Sequence, residues 1–173
     1  MATSPFDEIT NYADNSKPAT KPSSFPILKI VMDNIRSKLP TRKTEVSAGL
    51  NLASTTTITI GPGETKSIPT GIRIELPEGH IGLIKDKPSR AYYDQLHILA
   101  GVIDEDFRGE IRVIMHNLSD RIKLINAGAR CAQLVIVPSL RPKLIVTSSL
   151  RKTNRDKLTF IREEPPPTEC ILV

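Results

Sequence analysis

Asp104 opens a run of three acidic residues within the segment from Leu99 to Gly109. Glu110 to Met115 follows, and its apolar residues alternate with other side chains, a pattern typical of a strand. The sequence therefore predicts a hairpin that carries carboxylates at its turn. A sheet would hold such a carboxylate in place yet open to a ligand, and Gly101 and Gly109 would allow close backbone approach. Asp104 is the candidate catalytic residue, and an ordinary solvated turn is the alternative.

Length and composition limit the class of protein. The chain has 173 residues, of which 39% are hydrophobic, which is enough for one core and too little for two ordinary domains. No run approaches membrane-spanning length, and the first residues lack a signal-peptide pattern, so we expect a soluble intracellular protein, cytoplasmic or nuclear. Cys131 and Cys170 are far apart in the sequence, and no disulfide is expected between them.

The net charge points toward an anionic ligand without specifying it. A formal charge of +5 suits a nucleotide triphosphate or a nucleic acid, but many of the basic residues cluster near the C-terminus, where they fit a solvated tail equally well. A nucleic-acid module needs aromatic residues among its basic ones, and the basic C-terminal stretch supplies only Phe160. Nucleic acid and membrane are therefore not expected partners.

The distribution of apolar residues divides the chain into three parts. Residues 1–25 are rich in Ser, Thr, Pro, Asn and Lys, which predicts a disordered N-terminal tail. Residues 26–150 show many short strands separated by turn residues, with no helix-length stretch of apolar spacing three and four. This pattern predicts an all-β sandwich or barrel. Residues 151–173 form a basic and then proline-rich C-terminal tail.

The segment from Ala100 to Gly109 closely resembles the third motif of the trimeric dUTPases, the deoxyuridine triphosphate nucleotidohydrolases. The resemblance implies that the main chain of Gly101, Val102 and Ile103 pairs with uracil and that Asp104 is the general base that orients the attacking water. Phe107 stands where the family usually has a tyrosine stacked under the deoxyribose. The resemblance also implies a jelly-roll-like β fold and a homotrimer whose active sites use segments of more than one chain.

The segment from Ser47 to Ser54 resembles the first motif of the same family. Asn51 stands in place of an aspartate that, in the family, helps to hold the triphosphate-bound magnesium through water. A neutral amide accepts a hydrogen bond from such a water but adds no charge toward a hard dication. The resemblance therefore implies Mg²⁺ as the cofactor of an active enzyme, with weakened metal binding in this chain.

The second motif, which binds phosphate oxygens in the family, is altered. Counting back from Gly101 places Lys87 at the family's arginine and Pro88 at its serine. Pro88 lacks both the hydroxyl and the backbone donor, and each lost charge-assisted hydrogen bond would cost roughly 1.5 to 3 kcal/mol. Ser89 and Arg90 lie one or two positions late and would compensate if the loop were bulged.

The segment from Gly128 to Leu134 resembles the fourth motif, and it retains Arg130 and Gln133 as candidate phosphate-binding residues. The fifth motif, a glycine-rich tail that closes over the nucleotide in the family, is not preserved. No glycine follows Gly128 in this chain. Arg155 and Phe160 stand at the matching distance and offer a charge and a ring.

Two hypotheses follow from this pattern. The first is a divergent dUTPase that hydrolyses dUTP to dUMP and pyrophosphate with weakened or lost turnover. The second is an interaction protein on the same trimeric scaffold, which recruits a partner such as a PDZ domain through Ile171 and Val173 at its C-terminus. The related dCTP deaminases share the fold, but no residue here favours them. The phosphate site discriminates between the two hypotheses.

Overall fold

The computed structural model describes residues 26–153, and over this range the chain forms eleven strands and one short helix. The predictions made for residues 1–25 and 154–173 lie outside the described residues. In chain order the elements are β1 (Lys29–Met32), β2 (Leu50–Ala53), β3 (Ile58–Ile60), β4 (Thr65–Pro69), β5 (Ile72–Glu75), β6 (His80–Asp86), α1 (Pro88–Asp94), β7 (Leu96–Ile98), β8 (Val102–Ile103), β9 (Arg112–Asn117), β10 (Lys123–Ile125) and β11 (Arg130–Pro138).

All strand pairs among the described residues are antiparallel and form four sheets. The largest sheet has the order β2-β11-β6-β8, and a three-stranded sheet has the order β4-β9-β7. Two further pairs join β1 to β5 and β10 to β3. The all-β class predicted from the strand pattern is confirmed.

The core takes one side of some strands, whereas β2 and β11 bury adjacent residues. In β7 and β9 the buried residues are separated by more exposed ones, which is the period of two that the sequence shows. Burying each such aliphatic side chain contributes about 1.5 to 3 kcal/mol. The largest fully buried apolar side chains are Leu52, Ile60, Ile68, Ile72, Leu96, Ile111, Val113, Met115, Ile125 and Leu134.

The helix α1 differs from the sequence prediction, which found no helical segment. Pro88 is in its first turn, where a missing N–H costs little, and Gln95 ends it in the left-handed conformation with a φ of 54°. The helix has seven residues and none of them is buried, so it needs no apolar stripe. Because the helix buries no residue, the apolar pattern of the sequence did not predict it. No helix of residues 26–153 has the length and apolar character to cross a membrane.

The simple hairpin predicted around Asp104 is wrong in its pairing. β9 pairs with β7, whereas β8 turns away and pairs with β6 in the other sheet. The chain turns at Ala100 and Gly101, which have φ angles of 59° and 107°. A Cβ atom at Gly101 would lie 2.9 Å from the carbonyl oxygen of Ile84, so only glycine fits without a shift. Asp104 therefore lies on a connection between two sheets.

The chain forms two compact units, of which the first ends at Leu140 and the second begins at Arg141. All of the strands and the helix belong to the first unit. Within the described part of the second unit, residues 141–153, no strand or helix forms.

Candidate functional site

A cavity of about 220 Å³ opens beside Asp104. Its walls are mostly aliphatic and come from β6, β7, β8 and β9 and from the turn itself; they are Ile84, Ile98, Leu99, Gly101, Val102, Ile103, Asp104, Phe107, Arg112 and Ile114. Asp104 is exposed, and its carboxylate has no hydrogen bond or ion pair with any described residue. A carboxylate that is open to solvent and next to an apolar cavity is available to act on a bound ligand.

The turn that carries Asp104 is held by its other residues. The Glu105 carboxylate accepts a hydrogen bond from the Gly79 amide at 2.7 Å, and the Phe107 amide donates to the Asp104 carbonyl at 3.1 Å. The ring of Phe107 lies against Gly109, where a Cβ atom would approach ring carbon Cζ to 2.7 Å. The space beside Gly109 is thus taken by the ring of Phe107.

A second, wider pocket of about 530 Å³ lies at α1 and the start of β11. It is lined by Lys87, Ser89, Arg90, Tyr93, Asp94, Gly128, Ala129 and Arg130. Three of these residues are cations, and Asp94 is the one carboxylate of the lining. Asp94 accepts a hydrogen bond from Arg90 at 2.7 Å, so the pocket keeps an excess of positive charge.

Both burial and the neighbouring cations act on the pKa of Lys87. Its pKa is lowered, first by burial and then by the nearby charges of Arg130, Arg90 and Lys43. Cations that destabilise one another in the absence of a ligand are stabilised when an anion binds among them. The pocket is therefore a candidate anion-binding site.

Asn51 holds Lys87 in this pocket. The Lys87 ammonium donates to Asn51 Oδ1 at 2.6 Å, and Asn51 Nδ2 donates to the Thr41 carbonyl at 2.8 Å. The amide oxygen that would face a metal thus faces a cation instead. Residues 26–153 contain no cluster of three or more His, Cys, Asp or Glu side chains that could hold a metal ion. These residues do not fit a magnesium ion held by protein ligands.

Gln133 contacts the backbone next to Lys87. Its Nε2 donates to the Asp86 carbonyl at 2.8 Å, and its Oε1 lies over Gly49, where a Cβ atom would clash with it. The Asp86 carboxylate in turn accepts from the Ile98 amide at 2.6 Å. Gln133 and Asp86 thereby fix the end of β6 from which Lys87 projects. Sequence reasoning missed Asp86, because the motifs do not include the residues that hold the backbone next to Lys87.

The structure divides the predicted site residues between the two pockets. The cavity collects Gly101, Val102, Ile103, Asp104 and Phe107, and the cationic pocket collects Lys87, Ser89 and Arg130 together with Arg90. The two pockets share no lining residue. The predictions for Arg155, Phe160, Ile171 and Val173 lie outside the described residues.

Fold and pockets together define an all-β protein with a carboxylate at an apolar cavity and a separate pocket for an anion. The family model for dUTPase matches residues 36–162. A deoxyuridine 5'-triphosphate nucleotidohydrolase of Hydrogenobaculum is 38% identical over 133 residues, covering 74% of this chain and 92% of that protein. The enzyme of the same name from Paramecium bursaria Chlorella virus 1 is 34% identical over 116 residues, covering 67% of this chain and 82% of that one.

Solved structures give the same result for the fold. A mutant dUTPase of Staphylococcus bacteriophage 80alpha, determined with dUpNHpp, has a TM-score of 0.73 at 23% identity, covering 78% of this chain and 96% of that one. At this identity the likeness establishes the fold alone. The extent of the family match and the identity to the curated relatives establish more: the chain belongs to the dUTPase family.

Proposed function

We propose that this protein binds dUTP and hydrolyses it to dUMP and pyrophosphate. The observation that carries the proposal is the pocket in which Lys87, Arg90 and Arg130 stand together with one carboxylate among them. The sequence alone suggested that the phosphate-binding residues were depleted. The cationic pocket supports the opposite conclusion, because it offers three charged donors to a triphosphate. The curated relatives share the name of nucleotidohydrolases acting on deoxyuridine 5'-triphosphate.

In this proposal the cavity beside Asp104 takes the base and sugar. The backbone of Val102 and Ile103 pairs with uracil, and the ring of Phe107 stacks on the deoxyribose. Asp104 orients a water and removes its proton as the water attacks phosphorus. A carboxylate without a hydrogen-bond or ion-pair partner in residues 26–153 suits this role, because its lone pairs are open to a water.

Lys87, Arg90, Arg130 and the hydroxyl of Ser89 bind the phosphate chain and offset its charge. Gln133 acts by fixing the backbone next to Lys87. Magnesium enters as part of the substrate, as the metal complex of the triphosphate. Mg²⁺ retains several waters and takes substrate phosphates as ligands, so it does not require a cluster of protein carboxylates.

The separation of the two pockets has a consequence for assembly. We propose a homotrimer in which the cavity of one chain faces the cationic pocket of a neighbour. Two apolar residues at the cavity are exposed, Val102 to 61% and Phe107 to 40% of its surface. Such residues suit burial in a contact between chains. Catalysis then needs Asp104 from one chain and Arg130 from another.

Mixed trimers test both parts of the proposal. Asp104→Asn and Arg130→Ala are each expected to abolish pyrophosphate release from dUTP with Mg²⁺. After the two variants are unfolded together and refolded at equal ratio, random assembly should restore about a quarter of the wild-type activity, because each site then draws from two chains. Light scattering of the same samples measures the oligomeric state.

The controls separate loss of function from loss of fold. Each variant should melt within a few degrees of wild type, and Arg121→Ala, a change at an exposed arginine, should retain full activity. Loss of activity in both single variants with none restored on mixing would overturn the shared site, because a site built within one chain gives that result. Full activity in either single variant would overturn the role given to that residue. If the wild-type protein neither releases pyrophosphate from dUTP nor binds a non-hydrolysable dUTP analogue, the enzyme proposal is overturned and the interaction protein is favoured.

A further inference from the structure

Two histidines outside both pockets face each other across neighbouring strands. His97 on β7 is the direct partner of His116 on β9. Their neighbours Leu96, Ile98, Met115 and Asn117 are buried, so both imidazoles lie on the outer side of the sheet. Directly opposed residues of antiparallel strands have Cβ atoms about 5 Å apart, which brings two imidazoles within reach of one ion.

Each imidazole is anchored through its Nδ1 atom on the side away from the other. His116 Nδ1 is 2.9 Å from the Thr65 hydroxyl on β4, and His97 Nδ1 is 2.8 Å from the Asp86 carboxylate. β9 lies between β4 and β7, so Thr65 is on the far side of His116. Asp86 also accepts from the Ile98 amide, at the edge of β7 that does not pair with β9.

These anchors determine where the second nitrogens point. The two nitrogens of an imidazole point in nearly opposite directions, so drawing each Nδ1 outward turns both Nε2 atoms toward the space shared by the pair. Neither Nε2 has a hydrogen-bond partner among the described residues. A carboxylate on the far nitrogen of a histidine fixes its tautomer and makes the free nitrogen a better metal ligand.

We propose that His97 and His116 form a binding site for a divalent transition-metal ion of the Zn²⁺, Ni²⁺ and Cu²⁺ class. The ion is bound by both Nε2 atoms, with Asp86 and Thr65 supporting the ligands from behind. Residues 26–153 supply no third His, Cys, Asp or Glu to the group, so water completes the coordination. Imidazole nitrogen favours these borderline metals over Mg²⁺, which makes this site independent of the metal that accompanies a triphosphate.

The third histidine of the chain provides a matched control. His80 lies at the start of β6, and its Nδ1 contacts the Glu78 carbonyl at 2.8 Å, with no histidine opposite it. Isothermal titration with ZnCl₂ would use tag-free full-length protein carrying Cys170→Ser, so that the thiol outside the described residues does not contribute. The variants are His97→Ala, His116→Ala and His80→Ala, all of which change a residue that is not in the buried core.

We expect one Zn²⁺ per chain, with affinity lowered at least tenfold by His97→Ala or His116→Ala and unchanged by His80→Ala. Asp86→Asn keeps an oxygen for the Ile98 amide, and it should weaken Zn²⁺ binding about tenfold through loss of the supporting charge. MgCl₂ should give no competing heat. Absence of saturable binding to the parent protein, or the same affinity in His97→Ala and His116→Ala as in the parent, would overturn the site.

Discussion

Arg90→Ala is the most direct test of the cationic pocket, because this arginine matches no family position and yet lines the pocket. A hydrogen bond to a charged group contributes about 1.5 to 3 kcal/mol. The Arg90 side chain is 26% exposed and is shared with Asp94, so we expect the lower part of that range. A loss of about 1.5 to 2 kcal/mol corresponds to about 13- to 30-fold weaker binding of a triphosphate.

The assay is calorimetric binding of a non-hydrolysable dUTP analogue at two salt concentrations. Arg90→Ala should weaken binding and also reduce its salt dependence, because one cation fewer meets the phosphates. Asp94→Asn removes a negative charge from the same place, because Asp94 is the one carboxylate of the pocket. The affinity for the analogue should therefore not fall. Folding should be little affected by Arg90→Ala, since an i,i+4 pair contributes about 0.3 to 0.5 kcal/mol.

The outcome that refutes this reasoning is equally specific. If Arg90→Ala stays within twofold of wild type while Arg130→Ala loses binding, Arg90 lines the pocket without contacting phosphate. If Asp94→Asn weakens binding as much as Arg90→Ala does, the anchored position of the guanidinium matters more than the net charge of the pocket.

Three further predictions concern the rest of the fold. Asn117→Leu should lower the free energy of unfolding in urea by about 2 to 5 kcal/mol, because the buried amide shares its two N–H groups among the carbonyls of Ile60, Gly61 and Arg121, which would lose this donor. Hydrogen bonds from Arg73 hold the pKa of Asp33 below its usual 3.8. The stability gained from this pair is therefore present above pH 3.8 and is lost as the pH falls through the lowered pKa. In acid titrations Arg73→Gln should unfold at a higher pH than the wild type. Burial raises the pKa of Cys131 to about 11, so in a Cys170→Ser protein a thiol reagent at neutral pH should label only unfolded chains.

Most strands could be predicted because their signals are local. The alternation in Ile72 to Leu76 and in Glu110 to Met115 requires only that one face be buried, and both segments form strands with that burial. Strand pairing is not local in this way. β8 pairs with β6 where Gly82 stands opposite Ile103, and a Cβ atom at Gly82 would lie 3.2 Å from that of Ile103. Such a contact between residues 21 positions apart has no signature in either segment alone.

The role of Asn51 was also beyond the sequence. A comparison with the family motif shows a lost carboxylate and indicates weakened metal binding. Only the structure shows that the amide oxygen faces Lys87, at 2.6 Å. An amide can accept from an ammonium without cancelling its charge, whereas an aspartate at the same place would neutralise it. The substitution therefore leaves the full charge of Lys87 in the cationic pocket.

The altered second motif still lines a cationic pocket for a related reason. Matching residues one by one treats Pro88 as the loss of a serine. In the structure Pro88 starts α1, and the Arg90 amide donates to the Lys87 carbonyl at 2.9 Å to close the first turn. Residues three apart on a helical turn lie on the same side, so this turn brings Arg90 beside Lys87. The proline that stands in place of the family's serine thus brings a further cation, Arg90, to the pocket, and a site of this kind must be judged by the backbone that the substitution creates.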